Sequence, residues 1–267
     1  MTLGLMNIFY DESSYLKEWL EYHTLLGVDH FYLTNNGSTD NFYEIVYPYL
    51  KKGTVTLLDV YNHGLGAPKC FIPHNMQLKL VETDWVGMCD IDEFLVPVNP
   101  KETIKDILKD FDKSNYAGIA VCWDTFNANG HIDKPTAPVI ESYTKKVPVQ
   151  MPPFQPHHKM IYRPARVCPR VGNPHWINPL PGYIVVDELH RPVYSYYTQT
   201  QTISRIKQNH YWCKSREEWL NKCDKGLNDI PGCPKRNISD FDEFNSRPCE
   251  EDTAILRFLP QLKERLK

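Results

Sequence analysis

Between Leu3 and Phe126 the chain repeats one pattern: a short apolar run, a turn rich in Asn, Asp, Ser or Gly, and an amphipathic segment of helical period. This alternation constrains the fold more than any other feature, because repeated β-α units favour an α/β architecture with a mostly parallel sheet and helices on both faces. Leu3 to Tyr10 is the first predicted strand. Leu16, Trp19, Leu20, His23 and Leu26 then recur at helical spacing behind Ser13 and Ser14 as predicted N-caps, and Gly27 ends the helix. His30 to Thr34 is the second strand, and the turn-rich loop Asn35 to Asp40 leads into a helix reaching Lys52, with Gly53 just past its end. Thr54 to Tyr61, Trp85 to Ile91 and Ala117 to Trp123 are the later strands, separated by helices over Asn75 to Glu82 and Thr103 to Phe111. Beyond Phe126 the character changes. Twelve of the 21 prolines fall between Pro135 and Pro192, which predicts loops and short or edge strands, and helices return at Glu217 to Cys223 and Thr253 to Leu266. With no internal repeat or low-complexity linker, the 267 residues read as one domain, a β/α part over 1–126 and an elaborated part over 127–267.

A formal net charge of -3 gives no electrostatic reason to expect nucleic acid or an anionic membrane surface. No run approaches the roughly 18 to 20 apolar residues of a membrane span, and Met1 to Tyr10 lacks the basic region of a secretory signal, so the expectation is a cytoplasmic protein. Cys213, Cys223 and Cys233 are evenly spaced, but without a CxxC pair or a nearby His they give little support to zinc, and reduced thiols fit better.

The chemistry concentrates at Asp90-Ile91-Asp92, which ends the apolar run Trp85 to Met88. In a strand, alternate residues share a face, so the two carboxylates are expected to converge, and hard divalent ions such as Mn²⁺ or Mg²⁺ combine one or two carboxylates with substrate phosphates. Ligands of open α/β sheets bind outside the carboxyl ends of the strands, where Tyr10, Asp11, Asp40 and both aspartates are expected to lie. Tyr10, Asp11 and Asp40 are the candidates for a nucleotide base and ribose. Asp40, with Ser38 beside it, also suits a helix N-cap. His157 and His158, adjacent on a predicted strand, point to opposite faces and do not share an ion.

Together, Glu12 with the helix Tyr15 to His23, the Asn35 to Asp40 loop, Asp90-Ile91-Asp92-Glu93-Phe94, and Asn209-His210-Tyr211 followed by Lys214-Ser215 resemble a known group. It is the nucleotide-sugar glycosyltransferases of the GT-A fold, around glycosyltransferase family 92 and its family 2-like relatives, and the likeness covers nearly the whole chain. The resemblance implies that Asp92 ligates the metal, that Asp90 contacts the metal or the donor ribose, and that His210 is the third protein ligand, with His175 in reserve. It also implies donor contacts from Glu12, Lys159 and Lys214, and an inverting transfer that needs a carboxylate base. Asp187 and Asp124 are the alternative bases, with Glu188 beside Asp187. Trp123 and Trp176 are candidates for stacking on an acceptor sugar, with His175 close by. Two departures stand out: Asp11 precedes Glu12 where relatives carry Asn, and Trp123-Asp124-Thr125-Phe126-Asn127 replaces W-x-x-F-G. The expected activity is metal-dependent transfer from a nucleotide-sugar donor, a UDP-sugar foremost, to a glycan hydroxyl, and galactose and xylose both satisfy it. A sugar-binding module without turnover is the first alternative. A nucleotidyltransferase is the second, disfavoured because Asp11-Glu12-Ser13-Ser14 is not a Gly-rich phosphate loop.

Overall fold

Strand β1 (Leu3–Phe9) is flanked in parallel by β2 (His30–Asn35) and β4 (Trp85–Met88), and β2 pairs in parallel with β3 (Val55–Asp59). The computed structural model describes residues 1–60, 74–148, 156–169, 173–225 and 236–267, so Tyr61 and Cys233 lie outside the described residues. Beyond β4 the main sheet continues through β8 (His158–Tyr162), β6 (Tyr116–Thr125), β9 (Ile184–Val186) and β10 (Pro192–Val193). β5 (Glu93–Pro97) leaves this path and pairs antiparallel with β11 (Ile206–His210), which in turn pairs in parallel with β6. The mixed, mostly parallel sheet with helices is the architecture expected from the alternation of the first half.

Three corrections follow from pairing. The run Trp85 to Ile91 stops as a strand at Met88, and Asp90 to Glu93 forms a turn into β5. β8, inside the proline-rich stretch, is a buried central strand antiparallel to both β4 and β6, not an edge. Pro156 and Pro164 bracket it, so every backbone N–H from His158 to Tyr162 remains able to join the ladder. The segment Thr253 to Leu266 divides into a 3₁₀ turn (Ala254–Phe258) and an α-helix (Leu259–Leu266), with Pro260 in the first helical turn, where a missing N–H costs nothing.

Helix α1 (Ser13–Leu26) buries Leu16, Trp19, Leu20, Tyr22, His23 and Leu26 against the sheet and ends on Gly27 in the left-handed conformation, φ 103°. Ser13 and Ser14 are helical residues and not caps; the Ser13 N–H is taken by the Asp40 carboxylate at 2.8 Å. The polar members of the buried face do specific work. Trp19 Nε1 donates to the Glu93 carbonyl at 3.0 Å, Tyr22 Oη donates to the Leu95 carbonyl at 2.7 Å, and His23 Nε2 accepts the Leu95 N–H at 3.3 Å. These bonds satisfy backbone groups of β5 that have no strand partner on that side.

His23 must be neutral to accept that N–H, while its Nδ1 donates to the Trp19 carbonyl at 2.9 Å. Burial pushes the imidazole down from 6.5 to about 3. The unfolded chain therefore binds the extra proton across this interval, and stability falls as pH falls. We expect His23 to contribute about 2 kcal/mol of lost stability between about pH 7 and pH 5, and His23→Gln to make the acid limb of urea-unfolding stability shallower by about one proton. A second expectation concerns Gly118 on β6, where an added Cβ would lie 2.6 Å from the Ile161 carbonyl oxygen and 2.7 Å from Tyr162 Cβ. Gly118→Ala is expected to cost about 1 to 3 kcal/mol, read as a lower denaturation midpoint with unchanged slope.

Candidate active site

The carboxyl ends of β1, β2 and β4 meet at one edge, as the register Phe9 to Asn35 and Met6 to Met88 requires. Asn7, fully buried on β1, donates its amide to the Cys89 carbonyl at 2.7 Å and so fixes the exit of β4. The Glu93 N–H donates to the Asp90 carbonyl at 3.0 Å, closing the turn. Glu93 also returns a carboxylate oxygen to the Asp90 N–H at 2.7 Å, and the same oxygen accepts from Gln208 Nε2 of β11 at 2.7 Å. Burial raises the Glu93 carboxyl well above its ordinary range against the pull of Lys159.

This turn separates the two aspartates. Asp90 meets Lys159 Nζ at 2.7 Å, and Lys159, on β8, is 1% exposed. Asp92 has partners of its own. Its Oδ1 lies 3.7 Å from His210 Nε2, its Oδ2 accepts from Lys222 Nζ at 2.8 Å, and its carbonyl accepts the Tyr211 N–H at 2.8 Å. Burial works against ionisation of Asp92, but Lys222, His210 and Lys214 outweigh it and hold the carboxyl well below the usual range. Burial also depresses His210 to about 4, which keeps its imidazole neutral and able to donate a lone pair.

One carboxylate and one neutral imidazole aimed at the same space fit two ligands of a divalent cation such as Mn²⁺, whose remaining positions suit diphosphate oxygens. Asp90 is directed at Lys159 instead. Among the described residues no group of three or more His, Cys, Asp or Glu gathers at one point. Lys222 was not legible as a site residue. Its only sequence signal is position, a lysine in the helix that follows His210-Tyr211 and Lys214-Ser215.

Around this centre the residues expected on the donor side are cross-braced. Asp11, at φ 50°, donates its N–H to Ser38 Oγ at 2.9 Å and accepts the Thr39 N–H at 2.7 Å. Asp40 holds Ser13 and, at 3.3 Å, the N–H of Phe42, which opens α2 (Phe42–Lys52); Ser38 is therefore tied to Asp11 and does not cap. Tyr10 and Glu12 flank Asp11 on the same edge. Lys214, at φ 51°, sets its ammonium 3.9 Å from the Tyr15 ring centroid. Ser215 next to it caps the helix α3 of residues Arg216–Lys225 in a reciprocal box with Glu218, whose carboxylate also accepts from Tyr15 and Tyr143.

Trp123 forms the opposite wall. Its ring centroid lies 4.2 Å from His210, 4.9 Å from His175 and 5.5 Å from His157, and His157 stacks in turn on the 41% exposed Tyr196 at 6.2 Å. His157 is exposed and His158 fully buried, as opposite faces require. Trp176 is turned away; it donates to Asn178 at 2.8 Å and packs edge-on to His158.

The three acidic candidates for a base are held elsewhere. On β6, alternation sends Trp123 toward His210 and Asp124 to the other face, where Asp124 is 2% exposed and meets Lys207 at 2.7 Å and Lys146 at 3.4 Å. Asp187 binds Arg191 at 2.7 Å and closes its own loop through the N–H groups of Leu189 and Arg191. Glu188 accepts the N–H groups of Ser204, Arg205 and Ile206 and so fixes the start of β11. Each of the three carboxylates makes structural contacts in this arrangement.

Comparison with known proteins agrees with the motifs. No helix among the described residues is long and apolar enough to cross a membrane. The chain is similar to a glycosyltransferase family 92 protein of Ricinus communis, 27% identical over 170 residues, covering 59% of this chain and 28% of the relative. A glycosyltransferase family 92 protein of Oryza sativa subsp. japonica is 24% identical over 165 residues, covering 61% and 27%. The chain thus spans less than half of the length of these curated relatives. Among solved structures, S. aureus TarS 1–349 in complex with UDP-GlcNAc aligns at a TM-score of 0.40 and 21% identity, over 62% of this chain and 46% of that one. The model of glycosyltransferase family 92 matches residues 2–243, and the chain belongs to that family.

Proposed function

We propose that this chain, as a single domain, transfers a sugar with inversion from a nucleotide-sugar donor, a UDP-sugar foremost, to a hydroxyl of a glycan, assisted by Mn²⁺ or Mg²⁺. The observation that carries the reading is the convergence of the Asp92 carboxylate and the neutral His210 imidazole at the carboxyl edge of the sheet. Asp92 and His210 would hold the cation, which when bound supplies Lewis-acid stabilisation of the charge growing on the leaving diphosphate. Lys214 adds a fixed positive charge at the same rim. The loop carrying Tyr10, Asp11 and Glu12, braced to the Ser38 to Asp40 loop, offers polar groups to a base and ribose. Asp90, paired with Lys159 yet half-exposed, would contact the cation or the donor ribose beside Asp92. Trp123 and His175 present the acceptor wall, and the stacked His157 and Tyr196 extend it outward. Because Asp124 and Asp187 are buried in ion pairs, the acceptor proton leaves to a group other than these two.

Asp92→Asn is expected to lower transfer by about two to three orders of magnitude, or about 3 to 4 kcal/mol of transition-state stabilisation, with the melting temperature little changed. The decisive assay screens nucleotide sugars with Mn²⁺ and with chelator for thermal stabilisation and slow donor hydrolysis. Near-wild-type turnover in the variant, or no stabilisation by any donor, would sink the reading. Tyr196→Ala is expected to raise the acceptor KM severalfold while donor hydrolysis stays at the wild-type rate, the signature of a binding contact remote from the bond being broken.

A further inference from the structure

Asp92 already has a cationic partner supplied by the chain itself. Lys222 Nζ lies 2.8 Å from Asp92 Oδ2 and 2.8 Å from the Trp212 carbonyl oxygen. The Lys222 and Asp92 side chains are 27% and 17% exposed, so the pair is only partly screened by water. Its position is built. The Ser215–Glu218 box fixes the start of α3, and residues 211–215 tie that helix directly to β11 and His210. The carboxylate is therefore shared, Oδ1 facing the imidazole and Oδ2 facing the ammonium.

A doubly charged ion and an ammonium cannot both sit against one carboxylate without strong repulsion, since two like charges a few ångströms apart in a half-buried site cost several kcal/mol at an effective dielectric of about 20. We infer that Lys222 is a resident counter-cation that competes with the divalent ion for Asp92 and, once displaced, is available to a donor diphosphate beside Lys214. The inference rests on the proposed donor site. Lysine suits the role because its ammonium is a point charge on a flexible four-carbon stem, whose partial exposure leaves room to swing. Without a divalent ion, Lys222 keeps Asp92 neutralised and the rim hospitable to phosphate. With the ion on Asp92, the same ammonium changes partner and the charge of the site rises.

The test measures Mn²⁺ alone by free-ion EPR, and UDP with chelator by calorimetry, on the wild type, Lys222→Met, Lys222→Arg and Asp92→Asn. Lys222→Met should bind Mn²⁺ about tenfold tighter and UDP in chelator severalfold weaker, whereas Lys222→Arg, which keeps the charge, should bind both as the wild type does. Unchanged or weaker Mn²⁺ binding in Lys222→Met, with binding still lost in Asp92→Asn, would overturn the competition and leave the donor site standing. Mn²⁺ binding that survives Asp92→Asn would overturn the metal reading and the competition together.

Discussion

The positions of Asp90 and Asp92 depend on how α1 holds β5. β5 is paired on one side by β11 and on the other by three side chains, Trp19, Tyr22 and His23, that hydrogen-bond to its backbone at Glu93 and Leu95. An unpaired buried backbone group costs about 1 to 3 kcal/mol, so these bonds are obligatory for burying the strand. Because β5 starts at Glu93, immediately after the turn, fixing it also fixes Asp90 and Asp92. This explains why Trp19, Tyr22 and His23 belong to the sequence pattern although none of them borders the Asp92–His210 space. They hold the turn from behind, and Glu93 and Gln208 close it from the side of β11.

Two lysine–aspartate systems on opposite faces of β11 show how exposure decides their use. Lys207 and Asp124 are each 2% exposed and share Lys146 and Asp252 in one network, joining β6, β7 (Lys145–Lys146) and β11 to the segment after β12 (Glu250–Glu251). Removing one member would strand a buried charge, so this network resists rearrangement. The Asp92 and Lys222 pair is nearer to solvent, with a neutral imidazole on its other side. There the loss of one partner can be met by water, phosphate or another cation. The same residue types thus serve as a fixed brace on one face and an exchangeable contact on the other.

The first half of the chain was legible because its signals are local. The stripe of Leu16, Trp19, Leu20, His23 and Leu26 and the glycines at 27 and 53 each predict an element from neighbours within one or two turns. β5 and β11 were not legible, because both are buried throughout and give no alternation of polar and apolar residues. Of their polar members, Glu93 and Gln208 pair with each other and Lys207 with Asp124, all distant in sequence. The partners of the acidic candidates were hidden for the same reason. Whether Asp124 faces His210 or Lys207 is set by its register with Asn209, and no local pattern carries a register. Asp92 and His210 stand in recognisable motifs and do lie close together, whereas only the packing of its helix brings Lys222 beside them.

The turn at Asp90 to Glu93 also changes what the aspartate pair can do. In a strand, residues two apart would share a face and a single ion. Here the backbone reverses between them, and each carboxylate acquires its own lysine. Lys159 is almost wholly buried on a central strand, braced between Asp90 and the nearby Glu93, and burial opposes its charge less than those two carboxylates favour it. It has little freedom to leave. Lys222 stands on a surface helix with a carbonyl as its second partner, so only Asp92 can exchange one cation for another at modest cost. The asymmetry of the motif therefore arises from the flexibility and burial of the lysines opposite it, since the two carboxyl groups are chemically the same.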